Sequence, residues 1–300
     1  MLHTHATAPL LRPFGMLGRA ILDVVHYLGG MGMLAGSAAR SAVRPRGGPP
    51  PLATAIARQL DTTLRFGLPL VAIVHVGLGS FLAMQAYFGA TFLDGIGPVV
   101  GVGLVRNIAP LMSGMLLAGL LAARHTPELR GPRRDVLDYE PGWLPDRPVA
   151  PGVESDPRPP IEPARLAASR LAAAILAGPI LGVWGALVGI SVGYGVAVGM
   201  LKVSTPGFFD MFLQMLWVRD VVGVFLKGMV FGGIAAWFAC YEGLKRPLGV
   251  TPDPASTPGV AVRVACFAGL AILVINSAWF LLFYHAGPAF GPTVLAPPLS

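Results

Sequence analysis

An all-α integral membrane protein, with one helix lying at the membrane interface and five crossing it, is the architecture this sequence predicts. Three observations predict it. Hydrophobic residues make up 54% of the 300-residue chain and charged residues only 12%, about half the charged share of an ordinary soluble domain. Five stretches reach or approach the roughly 20 apolar residues that a helix needs to cross a bilayer: 66–93, 95–123, 171–201, 221–241 and 264–286. The basic residues between them fall mostly on one side. So much apolar surface excludes a cytosolic enzyme, a secreted disulfide scaffold and a disordered chain.

Residues 1–51 read as a cytoplasmic N-terminus carrying an interfacial amphipathic helix. Over 14–43, Leu17, Ile21, Val24, Val25, Leu28 and Met31 share one helical face, while Arg19, Asp23 and His26 lie elsewhere on the wheel. That pattern suits a helix lying in the headgroup plane. The prolines at 49–51 stop it, and no cleavable signal is evident before it. Transmembrane helices 1 and 2 occupy 52–123. A Pro-rich, charged cytoplasmic loop follows over 124–165, with 15 charged residues and 10 of the chain's 29 prolines. Within it Pro132 can open, and Pro141-Gly142 can close, about two helical turns over 133–140. Transmembrane helices 3–5 fill 166–286, and 287–300 form an external tail.

Orientation follows from the cations. Seven arginines precede the first span and eight lie within 124–170, and Lys245, Arg246 and Arg263 fall between the last two spans. Only Lys202 and Arg219 lie on the opposite side. The positive-inside rule then places the N-terminus in the cytoplasm and the C-terminus outside. The basic balance marks loops, and no nucleic-acid partner is expected.

The chain's chemistry is sparse. None of the lysines, Lys202, Lys227 and Lys245, stands in the Gly-Lys-Ser/Thr step of a phosphate-binding loop. Any driving nucleotide therefore belongs on another subunit, and no cofactor is expected on this chain. The six histidines are scattered, no HExxH or CxxC pair occurs, and no G-x-S-x-G elbow is present. An enzyme working on its own is not expected. His75 reads as a helix-packing residue. Gly178, Gly182, Gly185, Gly189 and Gly193 recur along the third span and read first as close packing within the bundle, with a dimer face or sliding seam as the alternative. Arg106 and Lys227 lie inside spans. Each either snorkels to the headgroups, Arg106 near Asp94, or meets an anionic headgroup entering from outside. Gln85 and Tyr87 end the first span as a polar and aromatic pair.

In order along the chain, several segments resemble the MlaE/YrbE-type permeases. They are Tyr27-Leu28-Gly29-Gly30, Arg58-Gln59-Leu60, Leu82-Ala83-Met84-Gln85-Ala86-Tyr87 and, most specifically, Gly103-Leu104-Val105-Arg106-Asn107-Ile108-Ala109-Pro110. Later ones are Thr205-Pro206-Gly207-Phe208-Phe209, Phe225-Leu226-Lys227-Gly228, Ala239-Cys240-Tyr241-Glu242-Gly243 and Val274-Ile275-Asn276. These permeases are membrane subunits of lipid-transporting ABC systems. The resemblance implies a permease in the bacterial inner membrane, working with a second permease copy or paralogue. It also implies an ABC ATPase subunit that binds the ATP, an MCE-domain lipid-binding protein outside, and membrane lipid as cargo. It assigns Gln85, Tyr87, Arg106, Asn107 and Lys227 to the lipid pathway. Arg133, Asp135, Leu137, Tyr139 and Glu140 would take the place of a helix coupling to the ATPase. The chain departs from the family pattern in two places. Asn107 stands where a glutamate is usual, and the 124–165 loop replaces a helical segment rich in small residues and carboxylates. Those departures make a structural partner without its own ATPase coupling the second reading. An independent secondary transporter is third, since five spans and no paired membrane carboxylates suit it poorly.

Overall fold

The computed structural model describes residues 12–43, 51–89, 96–131, 163–245 and 256–285. Helix α1 runs Arg12–Val43, α2 Leu52–Gly89 and α3 Ile96–Gly103. A wider π-helical turn, Leu104–Ile108, joins α3 without a break to α4, Ala109–Arg130. Helix α5 is Pro163–Gly195 and ends in a second π turn, Val196–Met200. Then come α6 (Thr205–Met215), α7 (Val218–Leu244) and α8 (Ser256–Phe280), the last also closing in a π turn. Among the described residues there is no strand, and five helical stretches are long and apolar enough to cross a membrane: Leu52–Phe88, Ile96–Arg130, Pro163–Met200, Val218–Leu244 and Ser256–Phe283. They coincide with the five expected spans but overrun them. The first begins well before residue 66, because Leu52, Ala55 and Ala53 continue the helix into the charged segment around Arg58. The second continues past residue 123 to Arg130, where Arg124 and Glu128 pair one turn apart at 3.1 Å and hold the helix together in polar surroundings.

Helix α5 is the hub, packed along α2 on one side and α7 on the other, while α4 sits between α7 and α8. Glycine makes these approaches possible. A β-carbon on Gly178 would strike the Gly228 carbonyl, one on Gly232 the Ala174 carbonyl, and one on Gly79 the Gly189 carbonyl. The expected glycine repeat is thus spent on close contact inside the bundle, with backbone at Gly178 and with the His75, Leu104 and Val100 side chains at Gly185, Gly189 and Gly193. Gly195 and Gly199 face open space instead. The main core is filled by Leu117, Leu121, Leu181, Phe231, Ala235 and Ile272, with His75 buried beside it and its Nδ1 2.8 Å from the Val71 carbonyl.

Helix α1 lies against α5 and α7. The Trp237 indole donates to the Met31 carbonyl at 2.9 Å, and Tyr27 meets Tyr241 edge to face. Burial, and after it the Glu242 carboxylate, push the Tyr27 phenol above its usual range. The other side of α1 leaves Ile21, Leu22, Val25 and Leu28 exposed, the apolar face expected of an interfacial helix. At the opposite end of the bundle α6 is a short helix not anticipated from the sequence. Ser204 caps it by accepting from the Gly207 N–H at 3.2 Å, and Phe208 and Phe212 press it onto Gly97 and Gly101 of α3. The turn before it places Lys202 at φ 61°, in the left-handed region.

Candidate functional site: a buried ion pair beside a cleft

The site is built from a break in one helix. Pro110 has no N–H, so the Arg106 carbonyl loses the donor that an uninterrupted helix would give it. The chain widens into the π turn just before this point, where the Ala109 N–H bonds to Leu104 instead. Lys227 of α7 fills the vacancy, its Nζ donating to the Arg106 carbonyl at 2.9 Å. Lys227 is fully buried. It therefore closes a gap in the bundle and does not snorkel to the surface.

The Arg106 side chain points the other way and meets Asp220. Nε donates to Oδ1 at 3.0 Å and Nη2 to Oδ2 at 2.9 Å, a two-pronged pair that fixes the guanidinium plane. Asp220 is wholly buried, whereas Arg106 keeps 27% of its side chain exposed. Asp220 stands in the first turn of α7, and its Oδ2 also accepts from the Trp217 N–H at 3.1 Å. One carboxylate thus caps a helix and neutralises a cation on another. The Trp217 ring lies 5.3 Å from the Arg106 guanidinium and 3.5 Å from that of Arg219. Arg219 in turn donates to the Phe283 carbonyl at 3.3 Å, which ties α7 to the end of α8. A second tie runs from Asn276 of α8, whose amide donates to Asn107 Oδ1 at 2.8 Å.

Arg106 and Asn107 open onto a cleft of about 460 Å3 between α3 and α6. Its polar lining is completed by Gln214 and Trp217, and its apolar lining includes Pro98, Val102 and Met215. An amphipathic molecule can satisfy both kinds of surface there.

Of the five residues expected along a lipid pathway, the structure brings Arg106, Asn107 and Lys227 together and places only the first two on the cleft. Gln85 is exposed near the end of α2, and Tyr87 packs edge to face on Phe88; neither lines this cleft. Asp94 and the coupling residues Arg133, Asp135, Leu137, Tyr139 and Glu140 lie outside the described residues. Sequence reasoning missed Asp220, Trp217 and Gln214. The one signal in the sequence is Asp220 beside the start of the fourth apolar run, a place where an acidic residue suits a first helical turn whether or not it has a partner.

Membrane-length helices around a buried ion pair define a multi-pass membrane protein with a polar site inside its bundle. Residues 161–281 match the family described as Permease MlaE. The chain is 25% identical over 272 residues to a probable ABC transporter permease protein of Rickettsia conorii, covering 89% of this chain and 96% of the relative. A probable ABC transporter permease protein of Rickettsia typhi is 26% identical, at 89% and 96% coverage. The intermembrane phospholipid transport system permease protein MlaE of Haemophilus influenzae is 21% identical, at 90% and 97%. The last three spans thus match the MlaE permease family, and the chain over most of its length is similar to proteins named as ABC transporter permeases.

Proposed function

We propose that this chain is the membrane subunit of a transporter that moves phospholipid across or out of the bacterial inner membrane, with ATP hydrolysed on a separate ABC subunit. An MCE-domain protein accepts or delivers the lipid on the outer side, and a second permease copy or a paralogue completes the membrane part. The observation that carries this reading is the cleft. Arg106 is held there in one orientation by buried Asp220, with amide groups beside it and apolar walls around it. A phosphate headgroup fits the guanidinium edge and acyl chains fit the walls. The name of the Haemophilus influenzae relative supports phospholipid as the cargo. In this reading the N-terminus is cytoplasmic and α6 faces outside. Gln85 and Tyr87 mark the approach to the cleft, Lys227 keeps its rim in shape, and the segment holding Arg133, Asp135, Leu137, Tyr139 and Glu140 meets the ATPase.

A second reading, a permease-like partner without its own ATPase coupling, is favoured by one observation. Asn107 and Asn276 form a neutral pair where the family pattern has a glutamate at the first position. Purification of the tagged chain at native expression, with mass spectrometry of bound proteins and lipids, separates the two. Stoichiometric ATPase with an MCE protein and phospholipid is the expected result. A paralogous permease with no crosslink from this chain to an ATPase supports the second reading, and recovery of none of these components overturns both.

A further inference from the structure

We propose that a groove between α1, α5 and α7 holds one acyl chain of a phospholipid from the leaflet on the α1 side, separate from the cleft at Arg106. The inference needs only that the bundle sits in a bilayer and does not depend on the transport reading. The groove has a volume of about 410 Å3 and is lined by Leu171 and Ile175 of α5 and by Met229, Val230, Gly233 and Trp237 of α7, with Ala35 of α1 as its roof. Its single polar group, the Trp237 indole N–H, is already spent on the Met31 carbonyl at 2.9 Å. A niche without donors or acceptors does not hold water or a headgroup. It suits hydrocarbon.

The depth of the groove agrees with an acyl chain. Trp237 lies about 10 Å and Met229 about 22 Å from the α7 end at Leu244, at 1.5 Å per residue. In a hydrocarbon core of about 30 Å the groove therefore straddles the midplane, within reach of an acyl chain entering from the leaflet on the α1 side. The groove is about 12 Å long along α7 and open along one side, so a chain can enter it laterally from the bilayer. Gly233 provides the room, since a β-carbon there would already stand 3.3 Å from Ile175.

Beyond the groove's lining, which on α7 reaches Trp237, the same helix carries a cation that suits a phosphate. Tyr241 and Lys245 follow Trp237 at four-residue intervals, on nearly the same face of α7. Lys245 Nζ lies 5.3 Å from the Tyr27 ring centre and 5.8 Å from that of Tyr241. A cation between two tyrosines stands where the headgroups of that leaflet begin. The exposed apolar face of α1 brings the same leaflet up to the roof.

The test uses the full chain in phosphatidylethanolamine–phosphatidylglycerol vesicles doped with a phospholipid carrying a diazirine in its acyl chain. The protein is extracted into mild detergent, washed, illuminated and mapped by mass spectrometry. The expected result is crosslinking that survives washing and concentrates at Ile175, Met229, Val230 and Gly233. It is lost in Gly233→Leu and in Ile175→Phe, two independent ways of filling the groove. Labelling of Leu270 and Val274 on exposed α8 before washing serves as the folding control for each variant. Washed crosslinks confined to α8, or unchanged in a folded filled variant, would overturn the proposal. Lipid transport by the assembled complex is measured separately, so failure of the groove and failure of the transport reading are distinct results.

Discussion

Asp220 serves two helices at once, capping α7 through the Trp217 N–H and holding Arg106 through both carboxylate oxygens. Removing its charge leaves a guanidinium without a counter-ion inside the bundle. Breaking a fully enclosed ion pair costs about 3–5 kcal/mol, and the 27% exposure of Arg106 lowers the expected loss for Asp220→Asn to about 2 kcal/mol by the same argument. Thermal unfolding in detergent reads this, and the double variant with Arg106→Gln should recover part of the loss, because the guanidinium no longer stands there without its carboxylate. An additive double variant would show that the pair is not coupled. At Lys202, whose φ of 61° disfavours a side chain, Lys202→Gly should raise stability by about 0.5–1 kcal/mol; a clear loss would contradict the left-handed turn. At this scale the sequence was only partly legible. Arg106 and Lys227 stood out as charges in apolar runs. Their partners did not, because Asp220 lies 114 residues from Arg106 and Lys227 is satisfied by a backbone carbonyl that no residue pattern marks.

The helices were far more legible, since an apolar run longer than a bilayer is thick leaves few alternatives. What the runs could not give was where helices overrun the membrane. Leu52–Gly89 and Ile96–Arg130 extend into charged sequence, where pairing such as Arg124 with Glu128 supports the ends. Helix α6 escaped notice because, at 11 residues, it is too short to show as a span. Glycine spacing announced close packing but not its partners. The structure matches Gly178 to Gly228 and Gly232 to Ala174, with carbonyls where a methyl would go. Gly178→Ala and Gly232→Ala should each destabilise by about 2–3 kcal/mol, the upper part of the overpacking range. Gly199→Ala, facing open space, should be close to neutral. Equal effects at all three would contradict the seam. For α1, Trp237→Phe deletes the bond to Met31 at a cost of about 1 kcal/mol, and amide exchange should quicken in α1 while α5 stays protected.

For the molecule as a whole, the fold places α1 and the cleft beside α6 at opposite ends of the bundle. With 18 of the 22 cations at or beyond one end of the apolar runs, the proposed orientation has the α1 end in the cytoplasm. A membrane-impermeant thiol reagent should then label Ser204→Cys from outside intact cells and Ser256→Cys only after the membrane is opened, in a Cys266→Ser background. The reverse pattern would invert the topology. The most direct test of the central reading is lipid transfer by a reconstituted complex of this chain with the ATPase and MCE protein proposed as its partners, comparing wild type with Arg106→Ala, Arg106→Lys and Gly199→Ala. A two-pronged guanidinium in the cleft predicts that Arg106→Ala abolishes transfer while the complex still assembles. Arg106→Lys should retain only a small part of it, and Gly199→Ala should match wild type. Undiminished transfer in an assembled Arg106→Ala complex would contradict the assignment of the cleft as the lipid site.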